Sequence, residues 1–169
     1  MKKSAILLFA LAISMVHTGF GQEKPLSPKE TVKAVVGGVE TEIVYCRPSA
    51  RGRKMVGGKD PYGQVWRTGA NEATTVEFDE DVIIEGKSLP AGKYSLFTIP
   101  NEKEWVIIFN KVHNQWGHYN YNAAEDALRV TVKAEHRADF AETFTIKPEK
   151  DKIALIWETF YVAFNVKKD

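Results

Sequence analysis

The stretch best equipped for chemistry lies at residues 65–74 and reads V-W-R-T-G-A-N-E-A-T. It carries an indole, a guanidinium, a carboxamide and a carboxylate, on Trp66, Arg67, Asn71 and Glu72. A guanidinium binds oxyanions through a planar fork of N–H donors, while an amide and a carboxylate can orient a ligand's hydroxyl groups. The stretch therefore predicts a binding site for an acidic or hydroxyl-rich small molecule, with these four side chains as ligand-binding residues. The alternative, which the sequence favours for Asn71 and Glu72, is that these two satisfy backbone groups of the loop and pair with Arg67.

This stretch closes a longer glycine-rich segment, residues 47–73, that concentrates positive charge. The segment holds six basic side chains against two carboxylates, whereas the whole chain has 23 Lys and Arg against 22 Asp and Glu. Arg47 and Arg51 join the predicted ligand-binding residues on this ground. The alternative is a solvated loop whose arginines pair with nearby carboxylates, and for Arg51, Arg53 and Lys54 the sequence favours that alternative because most surface charges only meet water.

A second unusual segment, residues 114–121, interleaves aromatic side chains with amides. Aromatic rings stack on the apolar faces of sugars, and amides offer donors and acceptors to hydroxyl groups. Gln115, Trp116, His118 and Tyr119 are therefore predicted to contact a glycan-like ligand. The alternative is that Trp116 and a tyrosine close one end of a hydrophobic core. If both segments build one site, they must face one another.

Catalysis at such a site would need a second group. Glu72 or His118 is the candidate acid/base of a glycan-directed hydrolase or lyase, but glycoside hydrolysis usually takes two carboxylates about 5–9.5 Å apart and no partner is identifiable. The single cysteine, Cys46, ends a strand-like run and is predicted to be buried, because a free cysteine packs like a small hydrophobe. His113 and His118 lie five residues apart in a loop and His136 is distant from both, so they complete no zinc-ligand pattern, and we predict no metal and no other cofactor.

The elements that must position these residues are β-strands. Residues 31–36 and 39–46 flank a Gly-Gly pair, the signature of a two-residue hairpin. About nine short strands with frequent turns predict an all-β, single-domain antiparallel β-sandwich, jelly-roll-like, with one long glycine-rich loop and little helix. Trp105 and Trp157 lie within strand patterns and are expected in its core.

Two details of the fold are specific enough to be tested. Residues 153–157 and 160–166 predict a closing hairpin with a tight turn near Glu158 and Thr159. A short helix is expected near residues 123–126.

Residues 1–21 have the composition of a secretory signal peptide, with two lysines, an apolar run and small residues before a cleavage point after Gly21. The apolar run is shorter than the roughly 20 residues that span a membrane, so no membrane insertion is predicted. Residues 22–30 predict a flexible lead-in, and residues 31–169 the single β-sandwich domain. The product is expected in the periplasm or outside the cell.

Cleavage would leave 148 residues with 21 basic and 22 acidic side chains. This near balance argues against nucleic acid as a partner, because nucleic-acid binders carry a basic excess. The predicted partner is a small-molecule or glycan ligand, and the sequence leaves the oligomeric state open.

Several motifs together resemble one known family. They lie at residues 45–49, 52–54, 61–63, 65–74, 89–97 and 114–117. They are similar to the hallmarks of the secreted bacterial family catalogued as domain of unknown function 2911. The resemblance implies an exported, single-domain, predominantly β protein, and it implies no activity for any named residue.

Three functions remain open at this point. The first is a non-catalytic binding module for a small acidic or glycan-like ligand. The second is a glycan-directed hydrolase or lyase that uses Glu72 or His118 as acid/base. The third is a structural or partner-binding envelope protein. A concave site built from both unusual segments would favour the first two.

Overall fold

The computed structural model describes residues 25–169. The predicted signal peptide, residues 1–21, and the first part of the predicted lead-in lie outside the described residues. One 3₁₀ turn, Ala123–Glu125, lies where a short helix is expected. The strands are β1 (Lys29–Val36), β2 (Val39–Cys46), β3 (Thr75–Phe78), β4 (Val82–Ile84), β5 (Lys87–Leu89), β6 (Gly92–Ile99), β7 (Glu104–Asn110), β8 (Asp126–Pro148) and β9 (Lys152–Lys168).

The strands pair antiparallel in the order β1-β2-β3-β6-β7-β8-β9-β4-β5. β8 joins the two halves of this arrangement, because its residues 126–133 pair with β7 and its residues 134–148 pair with β9. Buried and exposed positions alternate along β2, as a strand with one covered face requires. The predicted all-β antiparallel sandwich with little helix is confirmed. Between residues 25 and 169, no helix has both the length and the apolar character needed to cross a membrane.

The core is aromatic at its centre. Trp66 stacks on Trp157 with ring centroids 5.3 Å apart, and it meets Trp105 and Phe144 edge-on at 6.1 and 5.0 Å. Edge-to-face and offset contacts of this kind add stability beyond the area that they bury. Trp105 and Trp157 are both 1% exposed, so their predicted core positions are confirmed.

The hairpin between β1 and β2 is also confirmed, with Val36 paired to Val39 across the turn. Its two glycines, Gly37 and Gly38, have φ of 59° and 89°, which only glycine adopts without strain. The turn packs against the end of β9, where the Lys168 N–H donates to the Gly37 carbonyl at 3.1 Å.

The predicted closing hairpin is wrong, because β9 runs without a break through Glu158 and Thr159. Glu158 has a φ of 51° and is 7% exposed, so it turns its carboxylate inward instead of ending the strand. That carboxylate accepts hydrogen bonds from the Met55 and Val56 N–H groups at 2.9 and 2.8 Å. The buried carboxylate can lie in this apolar strand because backbone N–H groups of a distant loop satisfy its oxygen atoms.

Candidate functional site

The two segments singled out in the sequence form two loops that meet. The long loop (residues 47–74) connects β2 to β3, and the aromatic loop (residues 111–122) follows β7. The Ala73 N–H donates to the Gln115 carbonyl, and the Gly117 N–H donates to the Asn71 carbonyl, both at 3.1 Å. Glu72 and Trp116 pair as an isolated antiparallel bridge. The expected contact between the loops is therefore present.

Gly117 is needed for this contact. A Cβ atom at this position would lie 2.8 Å from Nη1 of Arg67 and 3.0 Å from the ring of Tyr119. Its φ of 66° is also one that glycine adopts most readily. The neighbouring His118 ring stacks on Tyr119 with centroids 5.1 Å apart. The aromatic loop thus packs closely over the Arg67 side chain.

One cleft, the Trp116 cleft, has a volume of about 260 Å³ and lies where the loops meet the ends of β1 and β2. Trp116 borders it and is 59% exposed. The Oε1 atom of Gln115 is buried and has no hydrogen-bond partner among the described residues. The other lining residues that bear polar or reactive groups include Lys29, Cys46, Glu72, His113 and Asn114.

Glu72 is held from two sides in this cleft. Its Oε1 lies 3.0 Å from Nζ of Lys29, and its Oε2 accepts a hydrogen bond from Sγ of Cys46 at 3.6 Å. A hydrogen bond from its own backbone N–H, followed by that from Lys29, lowers the pKa of the Glu72 carboxyl. The hydrogen bond from Glu72 and its charge raise the pKa of Lys29 in turn. The two groups therefore form a carboxylate–ammonium pair at neutral pH.

Cys46 is buried, as predicted, with 3% of its surface exposed. Burial raises the pKa of its thiol, and a hydrogen bond with the Asn71 side chain only partly opposes this. Because the thiolate is the nucleophilic form of cysteine, Cys46 is an unreactive donor to Glu72 at neutral pH.

A second cleft, the Asp60 cleft, has a volume of about 220 Å³ and shares no lining residue with the Trp116 cleft. Its polar lining comes from Lys59, Asp60, Gln64 and His118. Burial raises the pKa of Asp60 to about 6, against the opposing effect of the Arg67 charge. Burial, followed by the Arg67 charge, lowers the pKa of His118.

Two buried nitrogen atoms near this cleft lack partners. Within the part of the chain that the structure describes, Nε of Arg67 and Nδ1 of His118 accept or donate no hydrogen bond. Unsatisfied buried polar atoms are rare in native proteins and call for an explanation such as a bound molecule. Of the two atoms, only Nδ1 of His118 belongs to a residue that lines the Asp60 cleft.

Three of the predicted ligand-binding residues have structural partners instead. Arg47 bonds to β8 through the Phe144 carbonyl and the Thr145 hydroxyl, at 3.3 and 2.9 Å. Arg51 donates to the Leu26 carbonyl at 3.2 Å. Trp66 touches the edge of the Asp60 cleft, but it is 3% exposed and its indole N–H donates to the Gly69 carbonyl.

Most of the remaining predicted residues lie at one cleft or the other. Glu72, Gln115 and Trp116 line the Trp116 cleft, with Asn71 supporting its wall. His118 lines the Asp60 cleft and stacks on the 74% exposed Tyr119, whereas Arg67 lines neither cleft. Three further residues that line the clefts, Lys29, His113 and Asp60, are not among the ligand-binding residues predicted from the sequence. Lys29 carries no local signal, since its partner Glu72 is 43 residues away. Asp60, in contrast, stands out as a carboxylate within a basic loop. Among residues 25–169, no group of three His, Cys, Asp or Glu side chains is placed to hold a metal ion.

Comparison with known proteins gives one match. The family described as "Protein of unknown function (DUF2911)" matches residues 27–166. No curated protein matches the chain. No solved structure matches it either. The matched range covers both clefts and all nine strands except the last two residues of β9, so the chain belongs to the DUF2911 family.

Proposed function

We propose that this protein is an exported, non-catalytic binding module whose Trp116 cleft takes a small hydroxyl-rich ligand of the glycan type. The observation that carries the proposal is Trp116 itself. Its ring is left 59% exposed beside a cleft that also presents the paired Glu72 and Lys29 side chains. An exposed indole beside such groups provides a stacking surface for the apolar face of a sugar ring.

The charges in the cleft favour a neutral ligand. The Glu72 carboxylate and the Lys29 ammonium are 3.0 Å apart and compensate each other. Both keep hydrogen-bonding capacity for hydroxyl groups, since a carboxylate has about four acceptor sites and an ammonium three donors. A ligand rich in hydroxyl groups uses both without bringing a net charge.

Among the described residues, the same cleft has no pair of carboxylates of the kind that glycoside hydrolysis usually needs. Glu72 is the only carboxylate among its lining residues in the described chain, and its lowered pKa keeps it ionised rather than available as a general acid. The Cys46 thiol is neutral at the pH where a nucleophile would act. His118, the other predicted acid/base, lines the Asp60 cleft instead. These observations favour binding over catalysis.

The binding test is isothermal titration calorimetry against neutral mono- and oligosaccharides. Trp116→Ala should weaken binding of a captured sugar at least about tenfold, because stacking on an aromatic side chain is lost. Phe140→Ala is the matched control, since Phe140 is a 56% exposed aromatic that lines neither cleft. Equal affinity in the wild type and Trp116→Ala would refute the role of Trp116.

Catalysis is tested on the same sugars by looking for cleavage products after long incubation. We expect none from the wild type or from Glu72→Gln. Products that the wild type forms and Glu72→Gln does not would replace the binding module with the glycan-directed enzyme.

Export rests on residues 1–21 and is tested by fractionating cells that express the full chain. The mature protein should appear in the exported fraction with Gln22 as its first residue. Retention of the uncleaved chain in the cytoplasm would contradict this part of the proposal.

A further inference from the structure

We propose that the ligand of the Trp116 cleft is an acetamido sugar, a sugar ring that carries an N-acetyl group in place of one hydroxyl group. This class of ligand narrows the proposed function, on which it depends. Besides the exposed indole, the cleft presents an ion pair, an apolar floor and a free carboxamide. A ring that bears only hydroxyl groups leaves the apolar floor uncovered, whereas an acetamido sugar brings a methyl group to it.

The apolar floor is formed by Val44 and Ala73, which both line the cleft. Val44 lies on the face of β2 opposite to the core residue Ile43, a face that otherwise carries Glu40 and Glu42. It is half-buried, and among residues 25–169 it belongs to neither cluster of buried apolar residues. A ligand methyl group that covers Val44 removes apolar surface from water on both sides, which favours binding.

The register of the sheet holds this floor beside the ion pair. Lys29 of β1 is paired with Cys46 of β2, two positions along from Val44, so the three side chains leave the same face. Glu72 reaches this face from the long loop, where it contacts both Lys29 and Cys46. The bridge between Glu72 and Trp116 sets the indole on the other side of the cleft. Hydroxyl, apolar and stacking contacts are therefore available to one ring at the same time.

The free carboxamide belongs to Asn114, an exposed residue that lines the cleft. Among the side-chain hydrogen bonds of residues 25–169 none involves Asn114, whereas the amide of the neighbouring Gln115 donates to the Val112 carbonyl at 2.7 Å. A carboxamide has N–H donors and a C=O acceptor, and an acetamido group has one of each. The two groups are therefore complementary, and the hydrogen bonds of Asn114 orient the methyl group toward the floor.

The size and charge of the cleft agree with one neutral acetamido unit. Pockets that enclose drug-sized ligands measure about 300–1,000 Å³, so a cleft of about 260 Å³ suits a single ring. Because the Lys29 ammonium lies 3.0 Å from the Glu72 carboxylate, a second ammonium on the ligand would meet a carboxylate that is already paired. The charges thus favour an acetylated amino sugar over a free one.

The test compares sugars that differ only at C2. N-acetylglucosamine and N-acetylgalactosamine are titrated beside glucose and galactose into the wild-type protein, with two-dimensional NMR as the readout. Each acetamido sugar should bind at least about tenfold more tightly than its parent, because a buried methyl group and amide hydrogen bonds are added.

Two further probes separate the acetamido sugar from its parts. Glucosamine, in which an ammonium replaces the acetamido group, should bind no more tightly than glucose. N-methylacetamide, which has the acetamido group but no ring, should bind far more weakly than N-acetylglucosamine. Tightest binding of glucosamine would show that the cleft selects a cation. Equal binding of N-methylacetamide would show that it selects an amide of any source, such as a peptide. Either result would overturn the proposal.

Two substitutions test the assigned contacts. Val44→Thr replaces a methyl group of the floor with a hydroxyl group, and Asn114→Leu removes the carboxamide at similar size. Each should reduce the tenfold preference for the acetamido sugar to about threefold or less, because one of its two sources is lost. Val35→Thr and Asn120→Leu are the matched controls, since both residues are exposed and line neither cleft, and they should keep the preference. A preference that survives in both test variants would refute the assigned contacts.

The two proposals fail in different ways. If glucose and N-acetylglucosamine bind equally and both lose affinity in Trp116→Ala, the binding module stands and the acetamido preference is refuted. If no sugar of either kind binds, both proposals are refuted.

Discussion

At the scale of single residues, Glu158 shows how one side chain joins a strand to a distant loop. It lies within β9, yet its carboxylate accepts the N–H groups of Met55 and Val56 in the long loop. Hydrogen bonds to a charged acceptor are stronger than neutral ones, and the site is buried. The position of the long loop over the core therefore depends on this residue.

Replacing Glu158 with Gln should lower the free energy of unfolding by about 1–3 kcal/mol, because the amide NH₂ group would face a backbone donor that needs an acceptor. Urea unfolding measures the difference. Glu135→Gln, at an exposed position of β8, is the control and should be neutral within about 0.5 kcal/mol. A neutral effect of Glu158→Gln would mean that the two backbone donors are satisfied elsewhere.

Asp60 predicts a pH dependence of stability with the opposite sign to that of a typical carboxylate. Its pKa is raised from 3.8 to about 6 by folding, so its favourable contribution is present below pH 3.8 and is lost as the pH rises through about 6. Asp60→Asn should therefore stabilise the protein at pH 7.5 by about 1–2 kcal/mol, a value reduced for partial exposure, and have little effect at pH 4.

Thermal unfolding of the wild type and Asp60→Asn at both pH values provides this measurement. Asp79→Asn, at an exposed carboxylate outside the clefts, should be neutral at both. A variant that is less stable than the wild type at pH 7.5 would show that the Asp60 charge is compensated in the fold.

At the scale of elements, the β1–β2 hairpin packs against the end of β9 and is joined to it by a backbone hydrogen bond. A Cβ atom on Gly37 would lie 2.0 Å from the Val166 carbonyl oxygen, whereas a Cβ atom on Gly38 meets nothing within 4 Å. Both glycines have positive φ, so an alanine is strained at either position, but only Gly37 is also enclosed.

The hairpin thus offers a matched pair of substitutions. Gly38→Ala should cost about 1 kcal/mol of stability from backbone strain alone. Gly37→Ala should cost about 2–4 kcal/mol, because the turn must also separate from β9 and lose two backbone hydrogen bonds. Chemical denaturation of both variants checks the difference. Equal losses would mean that the hairpin does not need to rest on β9.

Strands and hairpins with local signals could be predicted from the sequence, but contacts between distant elements could not. The Gly-Gly turn follows from the residues that two-residue hairpins prefer. The core positions of Trp105 and Trp157 follow from their places in apolar strand patterns. Trp66 lies in an irregular loop, where no periodicity separates a core residue from a ligand-binding one. The sequence predicts a turn at Glu158 because the two partners that hold its carboxylate in the strand are more than 100 residues away in sequence.

The candidate site could be predicted in part for the same reason. Both loops interrupt a regular strand pattern and have an unusual composition, so the sequence predicts both of them and their contact. Their division into two clefts depends on Lys29 and Asp60, whose positions are set by tertiary packing and not by local spacing.

At the scale of the whole molecule, one core links all the strands. A single cluster of buried apolar residues takes members from each of the nine strands and also from the long loop, including Val56 and Trp66. Continuous strands β8 and β9 extend this core across both halves of the sandwich. A loop that contributes to the core cannot leave it without exposing apolar surface.

The described domain should therefore unfold in one cooperative step. Urea transitions followed by far-ultraviolet circular dichroism and by one-dimensional NMR of the methyl signals should coincide, as in a two-state process. Two separated midpoints would show that the halves joined by β8 are independent.

The distribution of indoles gives the molecule a built-in optical probe. Of its four tryptophans, Trp66, Trp105 and Trp157 are at most 3% exposed, while Trp116 is 59% exposed. Water-exposed indoles emit at longer wavelengths and are quenched by iodide, whereas indoles in a packed core are shielded from both effects. The emission that iodide quenches in the native protein should thus come from Trp116 alone. Iodide should quench this emission much less when a ligand covers the Trp116 cleft.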